Sequence, residues 1–312
     1  MLKGYIVLKG MEHVPKYFIM VVILLLSFNS IAGHPSILII KSSENSFFNK
    51  TIQQLTQKIG DKVEFHIKML DSLEHNDPLL SNSRAIITLG IAAANYPFDK
   101  KQKSPIIHSY ITEFQLTKHT DEHNHHYLLL DQPLHRYLAF IKYLLAPKAI
   151  AIIKSEKNAV NKKTLKRLSS SLGIKLEQRL MKKGDNPLRL VRNLLHSNDV
   201  LLSLPNPDVY NRRSLKGILL ASYRQNKPMI SYSPAHVKSG ALAAIYSSPD
   251  DIGNQLAGII KKIISRKNAK LKTVYYASEF NISINHRVAK SLGLTLDNEE
   301  LILKKLTASN KK

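Results

Sequence analysis

Apolar, β-branched runs alternate with stretches of helical period along nearly the whole of this 312-residue chain. Runs such as Ile37-Leu38-Ile39-Ile40, Ala85-Ile86-Ile87-Thr88-Leu89 and Ala149-Ile150-Ala151-Ile152-Ile153 are apolar on both faces. A strand of that kind has to be covered on both sides, which a parallel sheet between helical layers provides. Strand candidates fall at 36–40, 63–69, 85–89, 105–110, 127–130, 149–153, 175–179, 200–204, 229–232, 241–246 and 272–277. Helical candidates lie at 47–59, 133–145, 158–172, 187–195, 212–226, 249–264 and 285–292. The alternation predicts an α/β fold.

Two series of such units fit the length, one from 36 to about 110 and one from about 130 to 232, with a polar, His-rich stretch at 117–126 between them. The chain from 241 onward is left to cross back and complete both sheets. The expected architecture is two doubly wound, Rossmann-like lobes joined by a multi-strand hinge, with a ligand-sized cleft between them. Lobe 1 is expected at 33–130, completed by about 247–272, and lobe 2 at 131–246, completed by about 273–312.

Residues 1–32 have the three-part layout of a secretory signal: Lys3, Lys9 and Lys16, an uncharged apolar run at 17–28, then Ser30-Ile31-Ala32 as a small-x-small cleavage site. An uncleaved anchor is the competing reading, although the run is shorter than the roughly 20 residues of a comfortable span. The sequence contains no cysteine, which removes disulfides, thiolate metal sites, a catalytic thiol and a lipoprotein anchor. The expected location is therefore periplasmic or secreted, and not as a lipoprotein. Lys and Arg number 46 against 23 Asp and Glu, a formal net charge of +23 at pH 7. The cations are scattered over many helices without a nucleic-acid-binding motif, so they read as a solvated basic surface and nucleic acid is not expected as a partner.

The block at 228–258 reads as a short buried strand, a loop, a break at Ser239-Gly240, a second strand and a helix opened by Ser248-Pro249-Asp250-Asp251. Proline at the first helical position and acids in the first turn are helix-start signals. Around this block the chain resembles the ABC-transporter substrate-binding proteins related to the tryptophan/tyrosine-binding group. The resemblance rests on GALAAIYSSPDDIGNQLAGIIKKII followed by FNISINHRVAKSLGLTL, with Gly253 in the helix start and Asn285, Ala289, Leu292 and Gly293 in the ending. Upstream, the segments at 89–94, 130–153 and 199–233 fall in the family's order. The resemblance implies the type I periplasmic-binding-protein fold. It also implies a small organic solute, such as an amino acid, in the interlobe cleft, and an ABC permease in the inner membrane as partner. Where the family commonly has glycines after the first strand, this chain has Lys41-Ser42-Ser43-Glu44.

In such a clamshell, ligand contacts come from residues just past the carboxyl ends of strands. Those positions hold Ser42 and Ser43, then Gly90, Ile91 and Ala92, then Tyr110 in the first lobe. In the second lobe they hold Gln132, Ser155, Asn206, Asp208, Tyr210 and Ser233, with Gly240 beside a crossover. Gly90–Ala93 are read either as backbone donors for a carboxylate or as tight strand–helix packing. Asp208 is read either as the partner of a ligand ammonium or as the cap of a helix beginning near 210–212. Tyr210 either stacks on a ring or covers the hinge.

His119, His123, His125 and His126, with Asp121 and Glu122 among them, form a second constellation. It reads as a solvated loop, with a zinc or copper site as the sharper alternative. No nucleophile elbow, phosphate loop, zinc-protease helix or dinucleotide fingerprint is present. The sequence thus predicts a monomeric, non-enzymatic solute-binding protein of an importer, without a cofactor. Its rivals are an envelope protein of the same fold acting as a sensory or assembly partner, and a metal-handling protein using the histidine loop at 119–126.

Overall fold

The computed structural model describes residues 34–116, 124–266 and 270–309. The chain divides into two units, Met1–His34 and Pro35–Lys312, and everything below concerns the second. The signal-like segment at 1–32, and His119, Asp121, Glu122 and His123, lie outside the described residues. Among those described, no helix is long and apolar enough to cross a membrane.

Five strands open the first sheet: β1 (Ser36–Lys41), β2 (Glu64–Met69), β3 (Ala85–Leu89), β4 (Ile106–Ile111) and β5 (His125–Leu129). Between them run α1 (Ser46–Ile59), α2 (Pro78–Asn82) and α3 (Ile91–Ala94). The chain then builds α4 (Leu134–Leu145), β6 (Ala149–Ser155), α5 (Lys162–Leu172), β7 (Lys175–Met181), α6 (Pro187–Leu195), β8 (Val200–Leu202), α7 (Leu215–Arg224), β9 (Met229–Ser231), α8 (Pro234–Lys238) and β10 (Ala243–Tyr246). It ends with α9 (Pro249–Ser265), β11 (Val274–Tyr276), β12 (Asn281–Ile284), α10 (His286–Ser291) and α11 (Glu299–Ser309). The two six-stranded sheets have the orders β2-β1-β3-β4-β5-β11 and β7-β6-β8-β9-β10-β12. All pairings are parallel except β10 with β12.

Strand position follows composition. Central β3 and β6 are buried along their whole length, whereas β2 carries Glu64 and Lys68 and β7 carries Lys175, Glu177 and Arg179, all at least partly exposed, and both take the outer edges, where charge is tolerated and discourages further pairing. The last segment divides differently from the sequence-based boundaries. β11 joins the first sheet beside β5, so the return to the second lobe comes after Tyr276 and not at about 273. β12, α10 and α11 then close the second core through Ile282, Ile284, Ala289, Ile302 and Leu306. The four-residue β12 and the terminal α11 escaped the sequence reading, as did the short α2 and α8, whereas α3 starts where a helix was expected after Gly90.

α9 leaves the second sheet and packs on the first. Ser248 caps it reciprocally: its Oγ accepts from Asp251 N–H (3.2 Å) and Asp251 Oδ2 accepts from Ser248 N–H (2.7 Å), with Pro249 in the first turn. Its buried face, including Ile252, Leu256, Ile259, Ile260 and Ile263, shares one core with Phe48, Ile52, Leu55 and Ile59 of α1. The two helices approach closely at Gly253, where a Cβ would stand 2.8 Å from the Thr51 carbonyl oxygen. Thr51 Oγ1 donates to Pro249 O (2.9 Å) and Gln54 Nε2 to Asn254 Oδ1 (2.8 Å) across the same seam.

Two alanine substitutions in α9 should therefore act with opposite sign. Gly253→Ala gains helix propensity but drives a methyl into main-chain oxygen, a net loss of about 1–3 kcal/mol. Gly258→Ala meets nothing within 4 Å and should gain about 0.5–1 kcal/mol. Urea melts of the two variants beside the wild type check both.

Candidate functional site

The carboxyl ends of the strands in the first sheet are braced internally. Gly90 has φ 93°, and a Cβ there would lie 2.7 Å from Ser42 Oγ. Only glycine fits that contact. Ser42 Oγ in turn accepts the Ala93 N–H (2.8 Å), so Ser42 occupies a donor that a ligand carboxylate would need. Tyr110 is a non-glycine residue at φ 58°, a costly backbone conformation. Its hydroxyl pairs with Thr51 Oγ1 (2.6 Å) and lies 3.1 Å from Phe47 O, while its ring meets Phe48 edge-on at 4.8 Å. Burial pushes its phenol up to about 12. Tyr110 thus anchors β4 to α1. Ser43, Ile91 and Ala92 face solvent, and Phe47 at the start of α1, 57% exposed, is an apolar group the sequence reading did not select.

In the second lobe most of the expected residues turn inward. Asn206 is fully buried: its Nδ2 donates to Ser155 Oγ (3.2 Å) and its Oδ1 accepts the Asp208 N–H (3.1 Å). Tyr210 sits in the core beneath α6 and α7, and burial raises its phenol well above the ordinary range; it has no open face for a ligand ring. Asp208 is exposed, and α7 begins at Leu215 after Ser214, so Asp208 is not its cap. Ser233 caps α8 by accepting the Ala235 N–H (3.2 Å). Gly240 precedes β10 and lies with Pro228, Met229, Val288 and Leu292, at the amino ends of the strands and away from the cleft.

What opens between the lobes is a cavity of about 390 Å³ on the β5–β11 side. Glu113, Asp131, Gln132 and Tyr276 line it from the first lobe and the crossover, and Val160, Asn161, Thr164 and Leu204 from the second. Of the expected residues it contains Gln132. Asp131, the second residue after β5, is the neighbour of Gln132 in the same turn. Asp131 Oδ2 accepts the Glu113 N–H (2.7 Å), and burial pushes its carboxyl up to about 7. Glu113 Oε2 lies 3.2 Å from Lys154 Nζ, an ion pair from one lobe to the other whose lysine is 4% exposed. Burial, with Glu113 and Asp131 nearby, pushes the Tyr276 phenol up to about 12.

Below this cavity the three passes between lobes are clasped together. Gln132 Nε2 donates to Ser247 Oγ (2.8 Å), and Ser247 Oγ donates to Glu279 O (2.9 Å). The buried Arg136 guanidinium donates to Gln132 Oε1 and to Ala277 O (2.9 Å) and covers the Phe280 ring at 4.5 Å.

The histidine stretch is not a loop throughout. His125 and His126 are buried residues of β5, and successive strand residues point to opposite faces. His125 Nδ1 is 2.8 Å from His108 Nε2, and His108 Nδ1 is 2.8 Å from Thr88 Oγ1. His126 Nδ1 lies 2.9 Å from Lys272 O. These two therefore cannot converge on one ion, and among the described residues no group of three His, Cys, Asp or Glu side chains is placed to hold a metal.

The sequence pattern of the family described as "ABC transporter substrate binding protein" matches residues 79–308. No curated protein matches the sequence. Among solved structures, a conserved domain protein from Vibrio cholerae superposes with a TM-score of 0.55 at 20% identity, covering 87% of this chain and 98% of that one. A ligand-free, open substrate-binding protein with adhesive properties from Clostridium difficile gives a TM-score of 0.64 at 17% identity, covering 85% and 97%. An ABC domain in complex with L-Trp from Streptococcus pneumoniae gives 0.55 at 15%, covering 87% and 98%. The fold is that of the two-lobe, type I periplasmic binding proteins.

Asp131 gives the site a pH signature. Its raised pKa means that the unfolded chain releases this proton near pH 4 while the folded chain keeps it to about 7. Its contribution to stability is therefore greatest below pH 4 and declines as pH rises to about 7. Asp131→Asn retains the acceptor for Glu113 N–H and should flatten that part of the profile, raising Tm at pH 8 relative to wild type by a few degrees. Thermal melts of both proteins between pH 4 and 8 check this.

Proposed function

The chain belongs to the ABC transporter substrate-binding protein family, and on that premise we propose that it is an exported binding protein that closes its two lobes around one small organic solute and presents it to a membrane permease. The observation that carries the reading is the cavity of about 390 Å³ walled by both lobes, with a buried carboxyl at Asp131. Its volume falls in the range of small-ligand sites. A solute touching both walls favours the closed arrangement by the difference in contacts between open and closed states.

The chemistry of the wall favours a solute bearing a protonated amine. An ammonium placed against Asp131 would offset the burial that keeps the carboxyl protonated, and a charge-assisted hydrogen bond there is stronger than a neutral one. Gln132, Asn161 and Thr164 supply neutral donors and acceptors for the rest of the molecule. Leu134, Val160 and Leu204 supply apolar surface in the same wall. Amino acids are the first class to test, since a structure of the same fold carries L-Trp.

A thermal-shift panel of amino acids, other small amines, sugars and divalent metals on the purified protein tests the reading. A supporting solute raises Tm at millimolar concentration. Its affinity climbs as pH rises through about 7, because binding ionises Asp131, and Asp131→Asn weakens it about tenfold or more. If no solute raises Tm, solute transport is lost as the function and the envelope-partner reading replaces it. A shift by Zn²⁺ alone points to metal handling through the histidine stretch.

A further inference from the structure

The strongest unassigned feature lies away from the cleft, on the outer layer of the second lobe. α6 and α7 lie side by side on one face of the second sheet. Val191, Leu194 and Leu195 share a core there with Ile218 and Leu219, and with Leu201 and Met229 of the strands. Leu188 packs on Gly217, and Gln225 Nε2 donates to Arg192 O (3.4 Å). With those sides buried, the opposite sides form one continuous outer surface.

Six cations stand on it: Arg189 and Arg192 on α6, Arg212 and Arg213 in the turn before α7, and Lys216 and Arg224 on α7, all exposed. None of them forms an ion pair with a described carboxylate. Neither helix contains Asp or Glu. Of the two acids between residues 186 and 226, Asp199 is bound to Lys227 and to the backbone of Lys148 and Ala149, and Asp208 lies before the turn. Two large apolar side chains stand on the same crest, Leu220 and Tyr223, 46% and 48% exposed. Positions 216, 220, 223 and 224 recur at helical spacing and make a single stripe.

We propose that this α6–α7 face docks on an anionic lipid bilayer. Lys and Arg side chains meet lipid phosphates, while Leu220 and Tyr223 seat at the boundary between headgroups and acyl chains. A soluble polyanion would satisfy the cations and leave the two exposed apolar groups unexplained; a bilayer surface takes both. Each cation near an anionic surface strengthens partitioning by about fivefold, so a cluster of six is sufficient for reversible attachment. The helices flank the sheet and do not cover its strand ends, so docking leaves the cleft open whatever it binds.

Co-sedimentation of the full chain with phosphatidylcholine vesicles, with and without phosphatidylglycerol, tests this. The apolar N-terminal run is present in every variant and cancels in comparison. We expect phosphatidylglycerol-dependent binding that high salt reverses, weakened at least about 100-fold by R213E/K216E/R224E. L220S/Y223S should weaken it several-fold while leaving the salt dependence unchanged. The control K162E/K166E/R167E changes net charge equally on α5, whose Leu165 packs on the other face of the sheet, and should retain most of the binding. If a reversal variant does not melt like the wild type, R213Q/K216Q/R224Q replaces it. Equal loss from the α5 and α7 reversals, no effect of either, or binding to heparin without binding to vesicles each overturns the proposal.

Discussion

The buried guanidinium of Arg136 is the point through which the two lobes are held in one arrangement. A cation taken out of water is destabilising unless it gains partners, and here Nη1 finds them on two of the three passes between lobes: Gln132 in the first and Ala277 in the third, with the Phe280 ring beneath and Nε left without a partner among the described residues. Gln132 reaches the second pass at Ser247. Three strands of chain that would otherwise be independent tethers are thereby joined into one junction. The cavity beside it takes its wall from that junction, because Asp131 and Gln132 belong to the pass that Arg136 fixes.

The Glu113–Lys154 pair sits on the rim of the same cavity and belongs half to each lobe. Its lysine is nearly dry, and its carboxylate is half exposed. Such a pair gains from lobe approach and loses from lobe separation, unlike the Arg136 contacts, which persist through any rotation about the junction that keeps the passes together. The site therefore combines a fixed floor with a charged latch at its edge. Asp131 lies between them, and the Glu113 backbone N–H that it accepts links the two.

Much of this architecture was written in the hydrophobic pattern. β1, β3 and β6 are apolar on both faces, which leaves a parallel sheet between helical layers as the arrangement that covers them. The destination of the last strands was not legible. Val274–Tyr276 and Asn281–Ile284 are too short for periodicity to decide, and which sheet each joins depends on edges that exist only after both lobes have formed. For the site, strand-end logic found Gln132 and passed over Asp131, Glu113 and Lys154, since which neighbour points into the cavity depends on how two distant loops face each other. Tyr110, Asn206 and Tyr210 are engaged within the protein for a related reason. Their polar atoms or rings are engaged by partners far away in sequence, such as Thr51 for Tyr110 and Ser155 for Asn206, and no local spacing announces such a pairing.

The placement of α9 and β11 has a consequence for the order in which the molecule assembles. The first lobe occupies the early part of the chain, yet one wall of its core is supplied by Ile252–Ile263 and its last strand by Val274–Tyr276. As the chain emerges, the first sheet must stay open along the β5 edge, with the apolar side of α1 uncovered, until the whole second series of strands has passed. Contacts so distant in sequence slow the search for the native state and lengthen the life of a half-built, sticky intermediate. In a chain that emerges amino end first, the lobe that begins first is the one that must wait.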